Sequence, residues 1–510
     1  MRAVDLAIIG IYLLTVPALG VLLAGRQRGT RDYFLGNRTL PWWAVCLSVV
    51  ATETSTLTVI SVPTVAYLGS FTYLQLALGY LIGRVLVALV LLPRYYAGDL
   101  VSAYAFLGKR FGQGLQATAS VTFLVTRLLA DGLRLFATAI PVKVMLGSFG
   151  LSVSYWQIIL ALSALTVVYT YFGGIRAVVW VDVVQMGVYV AGSVVAGLIL
   201  MGQLPPDWFG RALEAGKFTV FDSSSPVLTS QYSTVTAVVG GAFFAMASHG
   251  ADQLMVQRLL ACRSLADSRR AVIGSGFVVL LQFALFLFIG SMLWVFFSGT
   301  SPERMGMSSA DELFPSFIVN ELPPGLSGVL IAGILAAAMS TLSSSLNSLS
   351  TSTISDLYQR ITKRRPDEAK LLRSARLATV GWALVFVGFA AVFTTTDNPV
   401  VEIGLGIASY TYGALLGAFL LGLLVGRARQ SDAVVAFLTT LVGVLYLALG
   451  VTFPTGEDGS QPLAFPWYTP IGVVTTLVVG WLLSLRHSGH DRTSTTEPNP
   501  ERISGPSDPG

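Results

Sequence analysis

Ionisable side chains recur inside stretches that are otherwise apolar: Glu53, Arg84, Arg127, Asp131, Arg134, Lys143, Asp182, Asp252 and Glu402. In apolar surroundings such groups are costly to keep charged, and they mark ion pathways, ligand partners or internal ion pairs. Arg127, Asp131 and Arg134 stand at i, i+4 and i+7, on one face of a helix, where they can pair. Two arrangements fit that spacing: a structural ion pair that tolerates burial, or an Arg127–Asp131 pair that leaves Arg134 to bind an anionic group. Hydroxyls form a second theme. The run ATETST occupies 51–56, and Ser340, Thr341, Ser343, Ser344 and Ser345 crowd into a turn and a half. A helix that breaks at such a run offers carbonyls and hydroxyls to a hard cation, which prefers oxygen ligands. Alternatively, the hydroxyls bond back to carbonyls of their own helix. A third polar run, ASHGADQ at 247–253, holds His249, either a hydrogen-bonded structural residue or a proton relay. With three histidines, two cysteines in apolar segments (Cys46, Cys262) and no convergent acid–base cluster, enzyme chemistry has little to work with. Neither a disulfide framework nor a cysteine metal site is suggested.

The elements that must position these residues follow from composition. The chain has 510 residues, 54% hydrophobic and only 12% charged, with a mean hydropathy of +0.70. Soluble domains carry about 25% charged residues, so much of this surface faces lipid. Apolar stretches able to cross roughly 30 Å of hydrocarbon recur about thirteen times, near 4–25, 41–68, 72–93, 114–146, 152–172, 177–201, 232–262, 270–299, 326–354, 372–395, 400–425, 432–452 and 466–485. The first lacks a basic region in front and is followed by Arg26, Arg28 and Arg31, so it reads as an uncleaved helix rather than a signal peptide. Alternate loops hold about 24 of the 32 basic residues, which places the N-terminus outside and the C-terminus in the cytoplasm of a plasma (inner) membrane. The net charge of +5 is spread over those loops and does not form a nucleic-acid surface. Residues 1–485 read as one transmembrane domain, and 486–510, rich in Pro, Ser and Gly, as a disordered cytoplasmic tail. No loop is long enough for a separate soluble domain or shows an obligate protein partner. The partners implied are lipid and a small solute, handled within the bilayer.

Depth brings the polar runs together. At 1.5 Å per residue, Ala51 lies about 15 Å in from the cytoplasmic end of the second span, and Ala337 about 16 Å in from the outer end of the ninth. Two breaks at equal depth supply five or six oxygens to one cation. Asp182 lies roughly 7 Å into the sixth span, level with Ser343 and Ser344, and reads either as part of a second cation site or as a helix-end aspartate facing water. The interruptions in the second and seventh spans are five helices apart, in corresponding positions of two halves of opposite orientation, as expected of inverted repeats around a central site.

Five segments together resemble the sodium:solute symporter family, which includes the sodium/glucose, sodium/proline and sodium/iodide carriers. They are YFLGNRTLPWW, LPRYYAGDLVSAYAFLGKRFG, YTYFGGIRAVVWVDVVQ, HGADQLMVQRLLACRS and LPPGLSGVLIAGILAAAMSTLSSSLNSLSTSTISDLY. The resemblance, covering about 4–425, implies an all-α polytopic membrane protein with a five-plus-five inverted repeat of leucine-transporter type (core about 41–425). One extra N-terminal helix and two extra C-terminal helices flank that core. It further implies sodium-coupled import of a small organic solute by alternating access, with Na+ as coupling ion and no organic cofactor. Carried over residue by residue, the shared sodium site falls on the carbonyls of Ala51, Thr54 and Ala337 and the hydroxyls of Ser340 and Thr341. A further sodium site found in some members falls on Asp182, Ser340, Ser343 and Ser344. Sugar-carrying members have a carboxylate and an asparagine where this chain has Ala77 and Ala245, which argues against a sugar. Glu53, Ser55, Arg134, Ser248 and His249 are the candidate solute contacts, and Arg134 favours a carboxylate-bearing solute. Proton coupling through Glu53, Asp182 or His249, a channel, and a sensor that kept the carrier fold are the alternatives.

Overall fold

Backbone groups in lipid have no water to bond, so apolar segments must close their hydrogen bonds internally, as helices. The computed structural model describes residues 3–24, 29–98, 100–148, 152–307, 310–358, 367–392, 400–454 and 459–487; almost all of the tail expected to be disordered lies outside them. The helices are α1 (Ala3–Ala24), α2 (Thr30–Leu35), α3 (Trp42–Glu53), α4 (Thr56–Leu68), α5 (Leu74–Leu86), α6 (Leu92–Ala97), α7 (Tyr104–Phe111) and α8 (Gln113–Ser148). There follow α9 (Tyr155–Gln203), α10 (Trp208–Glu214), α11 (Gly241–Gly250), α12 (Gln253–Leu260), α13 (Leu265–Phe296), α14 (Leu313–Asn320) and α15 (Leu326–Ser352). The last four are α16 (Glu368–Val392), α17 (Val400–Leu424), α18 (Gln430–Gly450) and α19 (Tyr468–Ser484). A π-helical turn, Thr353–Tyr358, extends α15. One small antiparallel hairpin, Thr452–Pro454 with Ser460–Pro462, is a departure from the all-α expectation.

Among the described residues, nine helices are long and apolar enough to cross a membrane, or ten when the bent pair formed by α3 and α4 is taken as one span. Two features separate this count from the thirteen expected. The 49 residues of α9 would reach about 74 Å as a straight helix, more than twice the hydrocarbon thickness. The segment instead turns at Gly174, whose φ of 52° and ψ of −150° leave the helical region. A Cβ there would strike the carbonyl of Tyr33, so glycine is needed for both the dihedral and the close approach. The other feature is charge and breakage: α8 carries Arg127, Asp131 and Arg134, and the seventh stretch is divided into α11 and α12.

Burial sorts the spans. The apolar window of α15 is 89% buried, whereas those of α1 and α18 are 22% and 28% buried and face outward. The central helix α15 packs mainly on α9, and also on α1, α16 and α8. Close approach explains several small residues: at Gly83 a side chain would meet the backbone of Ala242, which lets α5 and α11 touch.

Candidate ion and solute site

The second span breaks where the hydroxyl run predicts. The helical ladder of α3 ends with the Thr54 amide donating to the Val50 carbonyl at 2.9 Å. Thr54 (φ −77°, ψ 95°) and Ser55 (φ −84°, ψ 168°) are then extended, and the two halves diverge by 63°. The carbonyls of the last turn, Ala51 through Thr54, are released by this break at the negative end of the α3 dipole. Two bonds fasten the broken segment to α15. Thr56 donates to the Ile334 carbonyl at 3.1 Å, and Thr52 and Ser344 share a hydroxyl bond of 3.0 Å. Residues 53–55 and 337–341 lie between these two cross-links on facing elements, and Ala51 directly precedes the one at Thr52. From the other side, Gln282 of α13 donates to the Thr54 hydroxyl at 2.8 Å.

Ala51, Thr54, Ala337, Ser340 and Thr341 are all buried. The Thr341 hydroxyl donates to the Ala337 carbonyl at 3.1 Å, and Ser340 donates to Asp182 at 2.7 Å. Each hydroxyl thus spends its proton elsewhere and keeps lone pairs for a cation, so the back-bonded arrangement and a ligand role coexist. This donor set of neutral oxygens beside one carboxylate fits a monovalent hard cation.

Asp182 is fully buried and does not face water. Its carboxylate accepts from Ser48 at 2.6 Å and from Ser340, and the Arg258 guanidinium stands 3.6 Å away. Arg258 also donates to Ser48 at 3.1 Å, to the Leu254 carbonyl at 2.7 Å and to Ser344. Ser344 therefore reaches Asp182 through the arginine. Ser343 turns to the Ser340 carbonyl at 3.0 Å. Sequence reasoning missed Ser48 and Arg258 as partners of Asp182. For Arg258 the available signal was its position on α12, directly after the interruption at 247–253.

The charged row on α8 is organised differently from the helical spacing alone. Arg127 bonds Asp252 at 2.8 Å and Tyr412, and lies 3.4 Å from Asp131. Asp131 also accepts from Ser345 and, at 3.2 Å, from Arg134. Two arginines and two aspartates balance, so Arg134 is not the surplus charge that the pairing of Arg127 with Asp131 implied. It is instead the accessible member, its side chain 19% exposed against 2–3% for the other three.

Glu53 pairs with the fully buried Arg84, which also donates to Ser275 at 3.0 Å. His249 Nε2 lies 3.8 Å from Glu53 without a hydrogen bond, while its Nδ1 shares a 2.8 Å bond with Ser248. Ser55 holds the start of α4 through Thr58, at 3.5 Å. Tyr73 lies within electrostatic reach of both Glu53 and Arg134, and Tyr80, Phe244 and Tyr412 continue an aromatic wall, with ring centroids 5.9 and 5.1 Å apart. Aromatic faces with a few convergent polar groups are the usual lining of a small-molecule site. Glu53, His249 and Ser248 stand together, and Tyr73 is the group that lies within reach of both Glu53 and Arg134.

The sequence model of the sodium:solute symporter family matches residues 33–441. The chain is 28% identical over 486 residues to the sodium/sialic acid symporter SiaT of Proteus mirabilis (strain HI4320), with 94% of each chain covered. It is 29% identical over 476 residues to the Homo sapiens sodium/iodide cotransporter, covering 90% of this chain and 72% of that one. A solved substrate-bound, outward-open structure of a Na+-coupled sialic acid symporter aligns with a TM-score of 0.83 at 26% identity, over 96% of this chain and 98% of that one.

Proposed function

This chain belongs to the sodium:solute symporter family, and on that premise we propose that it imports a carboxylate-bearing solute whose negative group is held by Arg134. It is a membrane transporter and not an enzyme, and sodium is its coupling ion. The observation that carries the solute class is the partial exposure of Arg134 within an otherwise sealed, neutral cluster. A guanidinium presented there binds a carboxylate through two parallel bonds. The named relatives agree in charge, since sialic acid and iodide are both anions. Glu53, already neutralised by Arg84, with Ser55, Ser248 and His249, serves the polar, uncharged groups of the solute.

Sodium is assigned to the carbonyls of Ala51, Thr54 and Ala337 with the hydroxyls of Ser340 and Thr341. Its arrival favours the bent geometry of the α3–α4 segment, which also lines the solute cavity, and this shared element couples the two ligands. A second sodium at Asp182, Ser340, Ser343 and Ser344 requires the Arg258 guanidinium to withdraw from the carboxylate. For the architecture we retain thirteen spans. They are the ten apolar segments with α9 counted as two, together with α8 and the α11–α12 pair. The core is a five-plus-five inverted repeat over about 41–425, within a single transmembrane domain spanning 1–485. The basic loops place the chain in the plasma (inner) membrane with the N-terminus outside and the C-terminus in the cytoplasm.

Purified protein in liposomes tests this reading. Uptake of sialic acid and of short monocarboxylates is measured with an inward sodium gradient, with potassium replacing sodium, and against the neutral amide of each acid. Sodium-dependent, saturable uptake of an acid but not of its amide is expected. Equal uptake of acid and amide refutes the anionic solute, and uptake indifferent to sodium refutes the coupling.

A further inference from the structure

The inner end of α15 carries a buried carboxylate that the proposed cycle does not use. Asp356, in the π-helical turn, is 2% exposed. Its Oδ1 accepts from Ser102 at 2.6 Å and from Gln116 at 2.8 Å. Its buried Oδ2 makes no well-aligned hydrogen bond among the described residues. Among the described residues no arginine, lysine or histidine pairs with it, unlike Glu53, Asp131, Asp182 and Asp252, each of which has an arginine. Two further buried hydroxyls stand nearby, neither making a well-aligned hydrogen bond among the described residues. The Ser352 hydroxyl is one turn up the same helix, and the Tyr104 hydroxyl on α7 lies within electrostatic reach of the carboxylate.

A buried, unpaired carboxylate resolves its cost by taking a proton or a cation. A proton would satisfy Oδ2 and at most one acceptor. A cation would engage the carboxylate together with the Ser352 and Tyr104 hydroxyls, and oxygen-only donors suit a hard ion. The location supplies the rest of the argument. Ser340, Ser344, Ser348, Ser352 and Asp356 follow one another at four-residue intervals on α15, and all are buried. This slanting polar row runs from the sodium ligands towards the end of the helix over about 24 Å.

We propose that Asp356, with Ser352 and Tyr104, forms a sodium-holding site at the cytoplasmic end of α15, the last station before the ion is released. The inference rests on the sodium-symport reading and its orientation, and it adds a place where internal sodium acts. Ser102 and Gln116 precede and begin the α7–α8 segment, so occupancy of the site also bears on how that segment closes against α15.

The test uses the full-length protein in liposomes of defined internal composition. Uptake of the transported solute is recorded while internal sodium is raised at constant total sodium plus potassium. In wild type, internal sodium inhibits. Asp356→Asn is expected to raise the internal sodium needed for half-inhibition about ten-fold while shifting half-saturation by external sodium less than about two-fold. Ser352→Ala and Tyr104→Phe should shift internal inhibition in the same direction by less. Should Asp356→Asn fail to fold, these two variants decide the matter. Unchanged inhibition in the folded variants overturns the site. Inhibition that follows internal pH at fixed sodium overturns it as well, in favour of a proton. Loss of sodium dependence in the wild type would be the separate failure of the symport reading.

Discussion

Replacing Arg134 by lysine keeps the charge and removes the planar fork. Arg134 gives one bond to Asp131 through Nη1, at 3.2 Å, and its side chain is part-exposed. A lysine can hold either Asp131 or a solute carboxylate with a point charge, and it cannot make two parallel bonds. One charge-assisted bond is worth about 1.5–3 kcal/mol, so the substitution is expected to raise the dissociation constant of an acid solute about 10- to 150-fold. The fold should survive, because Asp131 retains Ser345 and Arg127, and Arg127 retains Asp252 and Tyr412. Half-saturation by sodium should move less than about three-fold, since Arg134 shares no bond with residues 51–54 or 337–341. The assay compares binding of an acid and its neutral amide in wild type and Arg134→Lys, with sodium titrated at saturating solute. If the mutant discriminates acid from amide as well as wild type does, Arg134 is structural and the anionic solute loses its support.

Ser340→Ala and Thr341→Ala each remove one of about five oxygens; sodium-driven uptake should fall at least about ten-fold while insertion persists, and wild-type sodium dependence in both would displace the site. Asp182→Asn leaves Arg258 buried without its counter-ion, which costs about 3–5 kcal/mol; a lowered melting temperature is expected, with most of the loss recovered in Asp182→Asn/Arg258→Gln, and additive effects in that double mutant would refute the pairing. Lys217 in the α10–α11 connection donates to the carbonyls of Tyr67 at 2.6 Å and Gly69 at 3.0 Å, capping α4, and burial pushes its ammonium down to about 8. Between about pH 8 and its ordinary value of 10.5 the unfolded chain holds a proton that the folded chain has released, so stability should rise with pH across that window. Lys217→Met should remove the rise in melting curves taken from pH 7.5 to 10, and an identical slope in both proteins would exclude Lys217 as its source.

Much of this protein was legible from its residues because membrane insertion imposes local rules. Every apolar run must be a helix, whatever it packs against, so composition determined the class and the nine or ten apolar spans among the described residues. The break at 54–55 was legible for the same reason: a polar run inside an apolar helix is a local anomaly, and the hydroxyls of Ser340 and Thr341 stand out on α15. Charge was legible as an inventory only. Spacing on α8 put Arg127, Asp131 and Arg134 on one face, but the partner that balances them, Asp252, is 125 residues from Arg127 along the chain. Arg258, not among the ionisable residues singled out from the sequence, is the counter-ion of Asp182. Glu53, read from the sequence as a candidate solute contact, is paired with Arg84. Helix formation depends on neighbours within a few residues, whereas the pairing of buried charges depends on which helices touch. The sequence therefore determined the helical class and the break in the second span, and only the tertiary structure decided which buried charges are cancelled and which side chain, that of Arg134, stays part-exposed.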